Sequence, residues 1–257
     1  VPAALVVRLA AAWESPAARA FCADLEAAAH HVTEDRVIHR GRNLIFRERV
    51  GGEDVAVKRF PVTGLRRLVY RWRASKAARA FDHGERLAAF GVGTPQPLAV
   101  VELRNGSTLL ASFYCCTFTP SFREARELKR SGARERAALL ERLGEFVGAL
   151  HEKGVVHRDL TAGNVLIVGD LEAERGVGFQ LVDINRMRFG PVGVTRGLAN
   201  LAQLRLGDGG ALLAGYCRAR NLSAASVASR YRILLAVRSV RQAIKERTRP
   251  LRRRLGL

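Results

Sequence analysis

His157-Arg158-Asp159-Leu160-Thr161-Ala162-Gly163-Asn164 places a carboxylate and an amide five positions apart in a short polar loop. A carboxylate here can accept the proton of an attacking hydroxyl. A carboxylate and an amide carbonyl are also the oxygen ligands that magnesium prefers. The flanks of the loop are ordered. Upstream, Leu139, Leu140, Leu143, Phe146, Val147 and Leu150 recur at helical spacing, and Gly154 stops that helix. Downstream, Val165-Leu166-Ile167-Val168 reads as a strand. A turn-rich segment follows, then Gln180-Leu181-Val182 as a second strand ending at Asp183. In a plain polar turn Asp159 and Asn164 would be local caps. The order helix, loop, strand, turn, strand, aspartate gives them a chemical setting instead.

The H-R-D-L-x-x-x-N pattern resembles the catalytic loop of the protein-kinase fold. That resemblance implies an α+β, bilobal architecture with a small antiparallel-sheet N-lobe and a mainly helical C-lobe. It makes Asp159 the expected base and Asn164 and Asp183 the expected magnesium ligands. The chain ahead of the loop fits. Val37-Ile38-His39 and Leu44 to Val50 read as strands around Gly41-Arg42-Asn43. Gly51-Gly52-Glu53-Asp54 makes a hairpin turn, and Val55 to Phe60 is a third strand. Its V-A-V-K resembles the V-A-I-K strand whose lysine pairs with the phosphates of ATP, which singles out Lys58. The turn of Gly41, Arg42 and Asn43 stands where a glycine-rich loop would cover those phosphates. It lacks G-x-G-x-x-G, but backbone amides of a tight turn also face phosphate. Ser75 to Ala89 reads as a helix carrying the acid expected to hold Lys58. Asp82 and Glu85 share one face of it, and Asp82 is favoured because Glu85 lies nearer the helix end. Strands at Leu98 to Glu102 and Leu109 to Phe113 follow, with Tyr114 to Thr119 as the connection between lobes.

Several departures separate this chain from protein kinases. Asp183-Ile184-Asn185 replaces D-F-G, no A-P-E follows, and Thr161 stands where a lysine is usual. Together these argue against a protein substrate. Gly41-Arg42-Asn43, Val57-Lys58-Arg59-Phe60, Arg73 to Phe81 and Gly91 through Thr94-Pro95-Gln96-Pro97 are similar to the lipopolysaccharide kinase family. So are His157 to Leu160 with Gly163-Asn164, and Asp183-Ile184-Asn185-Arg186-Met187. The similarity spans about residues 37 to 205. It implies a kinase that uses ATP and magnesium (Mg2+) to phosphorylate a Kdo or heptose sugar of the lipopolysaccharide inner core. It also implies a cytoplasmic enzyme, peripheral at the inner membrane, whose partners are the anionic glycolipid precursor and the membrane surface.

Composition is consistent with these expectations. A chain of 257 residues with 48% hydrophobic content supports one large domain or two lobes. The expected parts are an N-terminal helical extension (1–36), an N-lobe (37–118), a C-lobe (119–215) and a basic helical tail (216–257). The net charge of +19 sits in two blocks. Lys58 to Arg79 holds eight basic residues and no acid, and Tyr216 to Leu257 holds twelve against Glu246. Such blocks attract polyanions. In the tail, Val227, Tyr231, Leu234, Val237, Val240 and Ile244 form an apolar stripe flanked by arginines and ended by Pro250. Such a helix suits an anionic membrane surface or packs its stripe on the C-lobe. Cys22, Cys115, Cys116 and Cys217 show no metal spacing and point to a reduced compartment. No run reaches the length of a membrane span, and Val1 to Val7 lacks the basic region of a signal peptide. Aromatics at 7% and the lack of a recognition motif argue against a specific nucleic-acid partner. The alternatives are a membrane-associated pseudokinase scaffold and a kinase for another small-molecule acceptor.

Overall fold

The structure is a computed structural model that describes residues 3–64, 66–169, 176–206 and 209–254. Its first strand, β1 (Ala4–Leu9), pairs antiparallel with β5 (Pro97–Asn105), Ala4 opposite Arg104 and Leu9 opposite Ala99. The sheet continues through β6 (Thr108–Thr117), β4 (Glu53–Pro61), β3 (Leu44–Val50) and β2 (Val37–Arg40) in the order β1-β5-β6-β4-β3-β2. Every neighbouring pair in it is antiparallel. Gly51 and Gly52 have φ of 57° and 90°. Two consecutive positive φ values are what a two-residue hairpin needs to match the twist of its strands, and here they join β3 to β4.

Two helices are placed by their sequence patterns. In α1 (Pro16–His31), Ala18, Cys22, Leu25 and Ala29 recur on one face and are buried with Phe46, Val55, Val57 and Phe113 of the sheet. Ser15 caps the helix, its Oγ accepting from the Ala18 N–H at 3.1 Å, and Pro16 takes the first turn, where no N–H is needed. After the one-turn α2 (Arg66–Val69) comes α3 (Lys76–Ala89), capped by Ser75, whose Oγ accepts from the Ala78 N–H at 2.9 Å. A Cβ at Gly84 would sit 3.2 Å from Pro97 and 3.3 Å from Ile184, so this glycine lets α3 approach both. These elements, with Gln180–Arg186, form the first of two compact units, spanning Val1–Phe122.

The second unit comprises Arg123–Phe179 and Met187–Leu257. Its spine is α4 (Ala133–Glu152), ended by Gly154 at φ 70°. Against α4 lies α6 (Gly209–Ala219), which runs so close that glycines are required. A Cβ at Gly144 would stand 2.1 Å from the Leu212 carbonyl oxygen, and one at Gly215 1.9 Å from that of Glu141. Arg218 pairs with Glu141 and Glu145 beside this contact, and Arg220 with Glu152. The short strand β7 (Phe122–Glu124) and β10 (Gly178–Leu181) flank β9 (Val165–Val168), and β8 (Val155–His157) pairs with β11 (Met187–Phe189). The helix α5 (Val194–Leu201) and the long α7 (Ala224–Arg254) complete the unit.

Four expectations change. Residues 1–36 are not a separate helical extension, because β1 buries part of Leu5 and Leu9 against the core beneath α1. The tail is not separate from residue 216 onward, since Tyr216, Cys217, Val227 and Tyr231 are buried. The apolar stripe of α7 divides. Its first turns pack inward, while Val237, Val240 and Ile244, joined by Ile233, are exposed. The helix also continues past Pro250 to Arg254. All four cysteines are free.

Candidate active site

The Asp159 loop is held from behind by a chain of directed hydrogen bonds within the second unit. Asn164 Nδ2 donates to the Asp159 carbonyl at 2.8 Å, which closes the loop on itself. The Asp159 N–H donates to Nδ1 of the buried His157 at 3.1 Å. On α5, Asn200 Nδ2 donates to the His157 carbonyl at 2.8 Å, and the Leu160 N–H donates to Gln203 Oε1 at 3.1 Å. With its amide nitrogen so committed, Asn200 presents Oδ1 to His151 Nε2 at 3.0 Å. An oxygen there can only accept, so Nε2 carries the proton and Nδ1 accepts from the Tyr216 hydroxyl at 3.0 Å. His151 is thus neutral, and burial lowers its pKa to about 4. Gly197 makes room for this relay, since a Cβ there would stand 2.1 Å from the Tyr216 oxygen.

The first unit carries the other half of the predicted residues. Lys58 faces away from the α1 core, because Val55 and Val57 take that side of β4. Its Nζ donates to Asp183 Oδ1 at 2.5 Å, and both side chains are mostly buried. Asn185 Nδ2 donates to the same oxygen at 2.7 Å. Asp183 has φ 56°, in the left-handed region, where aspartate is more tolerant than most residues. From α3, His83 Nδ1 donates to the Ile184 carbonyl at 2.7 Å, which ties that helix to the turn after Asp183. Burial holds the His83 imidazole below its usual value. In the turn before β3, the Gly41 N–H donates to the Asn43 carbonyl at 3.1 Å, and Arg42 is exposed.

One assignment is corrected. Asp82, expected to hold Lys58, pairs instead with Arg8 of β1. It lies on α3 one position before His83, so its side chain leaves the helix about 100° away from the imidazole that meets Ile184. Glu85 is exposed on α3. The lysine's partner is Asp183 itself, 125 positions along the chain. His83, His151, Asn200, Gln203 and Tyr216 went unnoticed in the sequence. Two of them carried a signal. His151 continues the buried face Leu140–Gly144–Val147 of α4, and Asn200 sits among the apolar residues of α5, where a polar side chain requires a partner.

An antiparallel-sheet unit bearing a paired strand lysine, with a mainly helical unit bearing an aspartate–asparagine loop, defines a protein-kinase-like fold. The comparisons agree. A solved structure described as WaaP in complex with acyl carrier protein matches with a TM-score of 0.63 and 19% sequence identity, covering 93% of this chain and 98% of that one. A search of curated proteins gave no match. The sequence model of the Lipopolysaccharide kinase (Kdo/WaaP) family matches residues 62–205, more than half of the chain, and the chain belongs to that family. It is a phosphotransferase acting on a sugar hydroxyl. The match covers the Asp159 loop and Asp183 but begins after Lys58 and the Gly41–Asn43 turn.

Proposed function

We propose that the protein transfers the γ-phosphate of ATP to a Kdo or heptose hydroxyl of the lipopolysaccharide inner core, at the cytoplasmic face of the inner membrane. Family membership carries the acceptor class. The Lys58–Asp183 pair and the braced Asp159–Asn164 loop support the assignment of roles. Lys58 steadies the nucleotide phosphates, and the turn of Gly41, Arg42 and Asn43, whose Gly41 N–H is already donated to the Asn43 carbonyl, would cover them with its remaining amides and the Arg42 charge. Asp159 orients the sugar hydroxyl and takes its proton as the oxygen attacks the γ-phosphorus, whose bond to the β–γ bridging oxygen breaks to release ADP. Asp183 and Asn164 would hold magnesium, since a carboxylate and an amide oxygen are ligands that suit that ion. When bound, magnesium neutralises charge on the transferring phosphoryl group. Asn185 fixes the Asp183 carboxylate, and the Asn200–His151–Tyr216 relay fixes the loop.

The membrane location is supported by α7 and by Trp72. No helix among the described residues is long and apolar enough to cross a membrane. Trp72 is 81% exposed with Arg71 beside its ring, a pairing that suits a lipid headgroup layer. The decisive assay is phosphate transfer from labelled ATP, with magnesium, to Kdo-bearing lipid A and to heptose-bearing core, for wild type, Asp159→Ala and Asp183→Ala. Transfer to one acceptor that both substitutions abolish is expected, and it identifies the sugar. Transfer that survives Asp159→Ala rejects the assigned base. Magnesium-dependent ATP binding with no transfer to either acceptor rejects the substrate.

A further inference from the structure

The second unit contains a cationic cavity that the catalytic residues do not use. It has a volume of about 320 Å³ and lies between the end of α5, the segment after it and the middle of α7. That is the lower end of the size range of small-ligand sites. Arg205, Arg238 and Arg241 line it, with Ala199, Leu234 and Val237 as its apolar wall. Arg238 donates from Nη2 to the Ala199 carbonyl at 3.0 Å, so its guanidinium is anchored while other N–H groups stay available. Among the described residues, no carboxylate pairs with any of the three arginines. The one acid of α7, Glu246, accepts instead from Gln242 at 2.5 Å. Burial, and then the neighbouring charges of Arg241 and Arg205, hold Arg238 below its ordinary pKa. Like charges gathered without a counter-charge cost stability unless an anion joins them.

We propose that Arg205, Arg238 and Arg241 bind the phosphomonoester of an anionic membrane lipid. A phosphomonoester carries a charge of about −1.5 to −2 and three acceptor oxygens, which guanidinium forks match. A phosphodiester offers less of both. The lipid source follows from Val237, which lines the cavity and also belongs to the exposed stripe of α7. Ile233, Val240 and Ile244 in that stripe are 63%, 59% and 56% exposed. At spacings of four, three and four they share one helix face. A phosphate in the cavity therefore has an unpartnered apolar face beside it, as an interfacial helix presents to the acyl boundary.

This inference rests on the membrane-surface reading above, and its test omits ATP and sugar acceptor so that catalysis plays no part. The experiment is vesicle flotation with phosphatidylcholine carrying phosphatidic acid, a monoester, or phosphatidylglycerol, a diester, at matched surface charge. Wild type is expected to prefer phosphatidic acid. Arg205→Gln with Arg241→Gln is expected to weaken that binding by about tenfold or more, and adding Arg238→Gln by on the order of a hundredfold. The double variant keeps the Arg238 anchor, so a loss there with an unchanged melting temperature is not a folding defect. Lys129→Gln, Arg130→Gln and Arg134→Gln together remove the same charge elsewhere on this unit and should leave the preference intact. Ile233→Asn with Ile244→Asn should also weaken binding. Equal losses in the charge control, or equal binding of the two lipids by wild type, overturn the site. Full binding by the apolar variant, with inorganic phosphate alone raising the melting temperature of wild type but not of the double variant, assigns the cavity to a soluble phosphate and overturns the lipid. Failure of wild type to bind either anionic vesicle removes the membrane-surface reading itself.

Discussion

Asp183 Oδ1 accepts from both Lys58 and Asn185, so the direction of this carboxylate depends on two neighbours. If Asp183 holds the metal as proposed, Asn185→Ala should leave the fold in place and lower kcat by roughly 10- to 100-fold, the usual cost of losing an outer hydrogen bond to a ligand carboxylate. Steady-state kinetics with saturating acceptor would show it, and an unchanged kcat would reject the positioning role. Asp82→Ala is expected to behave in the opposite way. Its partner Arg8 is about half exposed, so stability should change by no more than about 1 kcal/mol, with activity retained. A collapse of activity would return Asp82 to the site. His151 gives a pH signature. Its pKa falls from 6.5 to about 4 on folding, so the unfolded chain binds more protons between those values. The contribution of neutral His151 is complete above about pH 6.5 and is lost as pH falls toward about 4, amounting to about 3 kcal/mol. Urea unfolding across that window should be steeper in wild type than in His151→Asn, and parallel slopes would remove His151 as the cause.

At the level of elements, the α4–α6 contact depends on missing side chains. Gly144→Ala forces a methyl group into the Leu212 carbonyl and should cost about 1–3 kcal/mol or more, read as a lower melting temperature. At Gly132, just ahead of α4, a Cβ would meet nothing within 4 Å among the described residues, so Gly132→Ala is the matched control with little expected effect. Helical periodicity revealed α3, α4 and α7, and turn residues revealed the β3–β4 hairpin, because each of these is set by neighbours within a few positions. Strand β1 was not legible. Its partner β5 lies some 95 residues away, no turn fixes the register, and six residues at a sheet edge give a weak alternation. The divided face of α7 was equally hidden, since an apolar stripe reads the same whether it is covered or bare.

For the whole molecule, the positive charge is not spent uniformly. Arg218 and Arg220 are paired with acids of α4, whereas among the described residues Arg230, Arg232 and Arg238 meet only hydroxyls or a carbonyl. Binding to anionic vesicles should therefore fall steeply with added salt, because surface charges are screened beyond about 8 Å at physiological ionic strength. Co-sedimentation across a salt series would measure this, and salt-independent binding would mean that the apolar face of α7 acts alone.

The sequence by itself determined the architecture and the residue types at its chemical centre. The H-R-D-L-x-x-x-N run, the V-A-V-K strand and the D-I-N-R-M run are local patterns, and local patterns survive in one dimension. Only the tertiary structure decided what each of those residues touches. It gave Lys58 to Asp183 rather than Asp82, placed Asn200 and His151 behind the Asp159 loop, and gathered three arginines around one cavity. These pairings join residues dozens of positions apart, and a polar side chain finds its partner through burial and the packing of whole elements, which spacing along the chain does not encode.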